Sequence, residues 1–118
     1  EVYLMRAEVY ARTGNTNAAM NDLNTLLQTR WKTGTFTPLT ANAASDALQL
    51  ILTERRKELL MRGLRWMDLK RLNAEGANIT LTRVLNGQTY LLPPNDLRYA
   101  IALPEDVIAL SGISQNPR

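Results

Sequence analysis

The sequence contains no cysteine and no histidine, and these two absences exclude more than any residue present. Without a thiol or an imidazole there is no thiolate nucleophile, no Ser-His-Asp triad, no histidine general base and no zinc site built on Cys or His. EF-hand spacing and a glycine-rich phosphate loop are missing as well. The longest uninterrupted apolar run, from Tyr99 to Leu103, is five residues, far short of the ~20 that span a bilayer. There is no signal-peptide h-region. Lack of cysteine suits an oxidising compartment or a cell surface but fixes neither.

What is present describes an ordinary globular chain. It has 118 residues, 45% of them hydrophobic and 21% charged, which reads as one domain over 1–118 that buries about two thirds of its unfolded surface without staples. A net charge of +3, from 14 basic and 11 acidic residues, is too weak for a dedicated nucleic-acid binder.

Residues 1–12 hold good helix formers, with Tyr3, Ala7 and Tyr10 or Ala11 on one face, and Gly14 ends the pattern. Asn15 and Thr16 are cap residues for a second helix over about 17–31, with the stripe Ala19, Leu23, Leu26 and Leu27. So short a turn makes the two helices antiparallel. Residues 33–42 form a threonine-rich surface loop, and Asp46 with Gln49 resembles a capping box. The third helix carries Leu48, Ile51, Leu52 and Leu59 as far as Gly63; a fourth, over 65–72, turns Trp66, Leu69 and Leu72 inward. Beyond Asn73, Asn86-Gly87 between residues 79–85 and 88–92 signals a hairpin. Residues 97–103 read as a third extended segment, Pro104 opens a final helical turn, and 111–118 form an irregular tail. The fold class is mainly α: tetratricopeptide-like antiparallel helix pairs with a small C-terminal β-hairpin region.

Several motifs occur in a specific order: LMRAEVYARTG over 4–14, Ala18 through Asp22-Leu23-Asn24 to Arg30, ERRKEL over 54–59, GLRWMDLKR over 63–71, IALP over 101–104 and QNP over 115–117. This series resembles the C-terminal part of the SusD/RagB family of outer-membrane nutrient-binding lipoproteins. The resemblance implies non-catalytic binding of a glycan or related nutrient at the cell surface, without cofactor. It also implies delivery to a SusC-like TonB-dependent transporter and a membrane anchor through an N-terminal lipid absent from this chain. On that reading the chain is the C-terminal portion of a longer protein and mainly scaffold. Arg62 and Arg118 depart from the family pattern, which commonly has glutamate and glycine there. The alternative, from a different class, is a tetratricopeptide-like protein-interaction module without a sugar site.

Over 54–71, seven basic residues face three acidic ones, a local +4 that leaves −1 for the rest. A phosphate- or partner-binding patch is one reading. The preferred one is a structural ion-pair network of Glu54, Arg55, Arg56, Glu58, Arg65, Asp68 and Arg71, with Glu54 to Lys57, Arg55 to Glu58, Glu58 to Arg62, Arg65 to Asp68 and Asp68 to Arg71 as helix neighbours. Arg55 also falls within the apolar stripe and needs polar partners there. Trp31, Trp66, Tyr90 and Tyr99 are the aromatics able to stack on a sugar. Trp66 reads as core, and Trp31, at a helix end before a Thr/Gly loop, is the best ligand-binding residue. Paired Glu54 and Glu58 could in principle cleave glycosides, but arginine-rich surroundings would keep both ionised.

Overall fold

The computed structural model describes residues 1–118 as five α-helices, one two-stranded sheet and a 3-10 turn. The residues form two compact units, Glu1–Gly63 and Leu64–Arg118.

In the first unit, α1 (Val2–Arg12) and α2 (Thr16–Gln28) form a helical hairpin, and α3 (Ala44–Glu58) packs against both. The Asn15 side chain accepts a hydrogen bond from Ala18 N at 3.1 Å and caps α2, while Gly14 takes the left-handed φ of 82° that the short reversal requires. The buried set is Leu4, Ala7 and Ala11 from α1; Ala19, Met20, Leu23, Leu26 and Leu27 from α2; and Ala47 and Ile51 from α3. Four of these are alanines, whose small side chains let helix backbones approach closely. That choice rotates two faces from their predicted positions. Leu4, not Tyr3, is the inward residue of α1, and Tyr3 lies outside with the Arg6 guanidinium 5.6 Å from its ring centre. In α3 the buried line is Ala47, Ile51 and Arg55, with Leu48 and Leu52 half-buried beside it. Arg55 is buried, as its place in the stripe requires, and is not without a partner.

Further ties hold the hairpin. Arg6 grips Asp22 with two parallel hydrogen bonds of 2.6 and 2.7 Å, a bidentate geometry that a lysine could not reproduce. The expected capping box is absent. Ala43 occupies the N-cap without a side-chain bond, and Asp46 lies inside the first turn, where the helix dipole favours it. Nor does α3 continue to Gly63. It stops at Glu58, and Met61 adopts a left-handed φ of 63°, which a continuing helix cannot contain.

In the second unit, α4 (Arg65–Ala74) buries Asp68, Leu69, Leu72 and Asn73. Trp66 differs from expectation: it is 36% exposed and lies over Tyr99, with ring centres 4.8 Å apart. Tyr99 takes the interior place and the larger indole covers it. The hairpin forms as predicted, β1 (Leu81–Leu85) antiparallel to β2 (Gln88–Leu92), with Leu81 opposite Leu92 and Leu85 opposite Gln88. Asn86 at φ 50° and Gly87 at φ 75° make the turn, the geometry that matches strand twist.

The third extended segment is corrected. Leu97–Tyr99 is a 3-10 turn, because the Asp96 side chain accepts from Arg98 N at 2.9 Å and closes it. Ile101 and Leu103 have no strand beside them, and side chains of the tail take up three of their backbone groups. Leu103 N donates to Gln115 Oε1 at 2.8 Å, Gln115 Nε2 donates to Leu103 O at 3.0 Å, and Asn116 Nδ2 donates to Ile101 O at 2.6 Å. The QNP tail is therefore tied to the IALP segment. Pro104 is the N-cap of α5 (Glu105–Ser111), which ends at Gly112.

Asn73 is the hub of this unit. Its Nδ2 donates to Ile79 O at 2.9 Å and its Oδ1 accepts from Ile79 N at 2.7 Å. Asn73→Ala is expected to cost about 1–3 kcal/mol, read by urea unfolding through Trp66 fluorescence in a Trp31→Phe background; an unchanged midpoint would contradict this role. Bonds from Arg98 hold the Asp96 carboxyl down at about 2, against an ordinary 3.8. Because the folded value is the lower one, this contribution to stability is complete above the ordinary value and fades as pH falls through about 2. NMR titration should place the Asp96 inflection there, and Arg98→Ala should return it towards 3.8.

Candidate functional site

Helix α2 ends three residues before its expected limit at Trp31. Thr29 Oγ1 donates to Leu26 O at 2.7 Å and Arg30 N donates to Leu27 O at 2.8 Å, so the final carbonyls are satisfied locally and the chain leaves the helix axis. Trp31 thus stands in the following loop, 56% exposed, with its ring 6.0 Å from that of Phe36 and tilted by 58°. The loop is fixed at two points. Lys32 O accepts from Thr35 N at 3.0 Å and from Thr35 Oγ1 at 2.8 Å, closing a turn through Gly34. Farther on, Asn24 clamps Leu39: Asn24 Nδ2 donates to Leu39 O and Leu39 N donates to Asn24 Oδ1, both at 2.9 Å.

Between helix and loop lies a cleft of about 390 Å³, within the size range of small-molecule sites. Trp31, Phe36 and Pro38 give it apolar walls, while Asn21, Thr25 and Gln28 line it from successive turns of α2. The amides of Asn21 and Gln28 are exposed and have no partner within the chain. A depression of about 310 Å³ adjoins this cleft through the shared Asn21, Asn24 and Pro38. A flat indole face beside unpaired amides suits a ligand with an apolar C–H face and a polar rim, which is the chemistry of a sugar ring.

Trp31 is the predicted residue that lines this cleft. Asn21, Asn24, Gln28 and Phe36 were not singled out in the sequence; the signal was there in Asn21, Thr25 and Gln28, which recur at helical spacing on the polar side of α2. Among the other aromatics, Tyr90 is exposed on β2 opposite Arg83, and Tyr99 is buried under Trp66. A second cleft, about 350 Å³, is lined by Lys70, Asn73, Asn95 and Asp96. The side chains of Asn73, Asn95 and Asp96 are engaged in internal hydrogen bonds, which leaves that cleft less able to read a polar ligand.

Within the charged cluster two ion pairs lie along single helices and one joins two helices. Glu54 bonds Lys57 at 2.6 Å and Asp68 bonds Arg71 at 3.0 Å, both along their own helices. Glu58 departs from expectation and pairs with Arg30 at the end of α2. The longer reach is favoured because Arg30 Nε meets both carboxylate oxygens at 3.0 Å. These bonds lower the Glu58 pKa, the opposite of what a general acid needs. Arg56 is exposed and forms no ion pair, whereas Arg55 and Arg65 are not without partners. No group of three or more acidic side chains is placed to hold a metal ion.

Residues 1–102 match the model of the SusD family. The chain belongs to the SusD family. The match covers the helical hairpin, α3, α4 and the β-hairpin, and reaches into the IALP segment. No curated protein matches the chain. Family membership points to binding of glycans or related nutrients at the cell surface by a protein that is generally non-catalytic. No helix here is long and apolar enough to cross a membrane.

The Trp31 cleft depends on the Asn24 clamp. Asn24→Ala is expected to speed hydrogen exchange of the Leu39 amide by about tenfold or more, with a stability loss of about 1 kcal/mol. Unchanged exchange at Leu39 would show that the loop is held by other means.

Proposed function

We propose that this SusD-family chain serves a non-catalytic surface protein that captures a glycan or related nutrient for a SusC-like TonB-dependent outer-membrane transporter. Most of the chain is scaffold, the C-terminal portion of that protein, and Trp31 supplies a ligand contact. Attachment to the outer membrane is through an N-terminal lipid. The observation that carries this reading is the family match over residues 1–102. The Trp31 cleft supports it, because its aromatic platform and unpaired amides are suited to sugar hydroxyls and C–H faces.

Retardation of the protein in native gels containing individual polysaccharides tests the reading. At least one glycan is expected to slow the wild type, and Trp31→Ala is expected to weaken that retardation about tenfold or more. Indifference to a broad panel would sink the glycan reading in favour of another nutrient or of a helical protein-interaction module. Retardation that Trp31→Ala leaves intact would place the sugar contact elsewhere.

A further inference from the structure

The charge around the Trp31 cleft is one-sided. Lys32 is the one charged residue that lines it, and its side chain is in no ion pair. The neighbouring charges are already committed: Arg30 to Glu58, and Asp22 to Arg6. No carboxylate lines either the cleft or the adjoining depression, so nothing there neutralises the ammonium or repels an anion. Lys32 is also held in place at its backbone, where its carbonyl closes the turn with Thr35. Trp31 and Lys32 both line the cleft, so it offers a cation as well as the aromatic platform.

We propose that the cleft selects carboxylate-bearing sugars, the uronic acids, with Trp31 beneath the ring and Lys32 reading the carboxylate. This rests on the glycan-binding reading above and narrows it. A neutral sugar could use the indole and the amides of Asn21 and Gln28 equally well, but it would leave the cation without an anion. A uronate supplies that anion and forms a charge-assisted hydrogen bond. The two adjoining depressions together offer room for more than one sugar unit, which favours a polymeric uronate over a free monosaccharide.

Calorimetric titration of the full chain with short oligomers of galacturonate, glucuronate and mannuronate, each against its methyl ester, provides the test. Esterification keeps the sugar and removes the charge. At low salt one acidic oligomer is expected to bind about three- to tenfold more tightly than its ester. Lys32→Gln should erase that difference, Lys32→Arg should keep it, and Trp31→Ala should weaken acid and ester alike. Equal binding of acid and ester would overturn the uronate proposal while leaving the glycan reading standing. Binding that discriminates acid from ester but ignores both Lys32→Gln and Trp31→Ala would also overturn it, by moving the site elsewhere. No binding of any oligomer, acidic or esterified, would overturn it as well; neutral glycans that still retard the protein would then preserve the broader reading, and their failure would remove both.

Discussion

Side-chain amides hold the irregular segments of this protein in place. Asn24 binds Leu39, Asn73 binds Ile79, and Gln115 binds Leu103, each through both the N–H and the C=O of the target residue. A carboxamide carries a donor and an acceptor side by side, so it can stand where a neighbouring peptide group would stand in a sheet. A carboxylate could accept but not donate, and an apolar residue could do neither. Backbone that lies outside helices and strands still needs partners wherever water is excluded. These three residues provide them at a distance in sequence, and so decide where three otherwise free segments lie.

The clamps matter unequally in the two units because the apolar contributions differ. In Glu1–Gly63 three helices share a continuous core of ten buried residues, and the Asn24 clamp only adds a loop to a body already fixed. Leu64–Arg118 buries just Leu69, Leu72 and Tyr99 among its apolar side chains. Its β-hairpin shows Val84, Tyr90 and Leu91 to the outside, and α5 buries nothing. Hydrophobic burial within this unit is therefore small, since the driving force scales with area removed from water. Hydrogen bonds to Ile79, Ile101 and Leu103 and the Trp66–Tyr99 ring contact carry a correspondingly larger share of its order.

Periodicity and turn chemistry made much of this legible in the sequence. The two helices around Gly14, the Asn15 cap, and the hairpin at Asn86-Gly87 all rest on local signals and all formed. The failures share a different cause, competition that only tertiary structure decides. Residues 97–103 have the composition of a strand, but Asp96 closes a turn and Gln115 and Asn116 take the place of a partner strand. Glu58 has cations within its own helix turn, yet Arg30 offers a better fork. Asn24 and Asn73 were invisible as key residues because their partners lie fifteen and six positions away. For the site, an aromatic beside a Thr/Gly loop was readable; the amides facing it required knowing that the loop folds back over α2.

That fold-back bears on what kind of binding the cleft can support. Its walls are already positioned, so a ligand need order little of the protein, and the entropic cost of association is reduced. Yet Trp31 remains more than half exposed and the polar groups around it face solvent. Water therefore competes with every contact, and few interactions are desolvated deeply enough to slow release. Differences in affinity between related complexes arise chiefly in the dissociation rate. A rigid but open platform consequently favours quick exchange over long retention. On the proposed reading of capture followed by transfer, that balance is useful: a deeper, drier pocket would raise affinity by slowing the step on which transfer would depend.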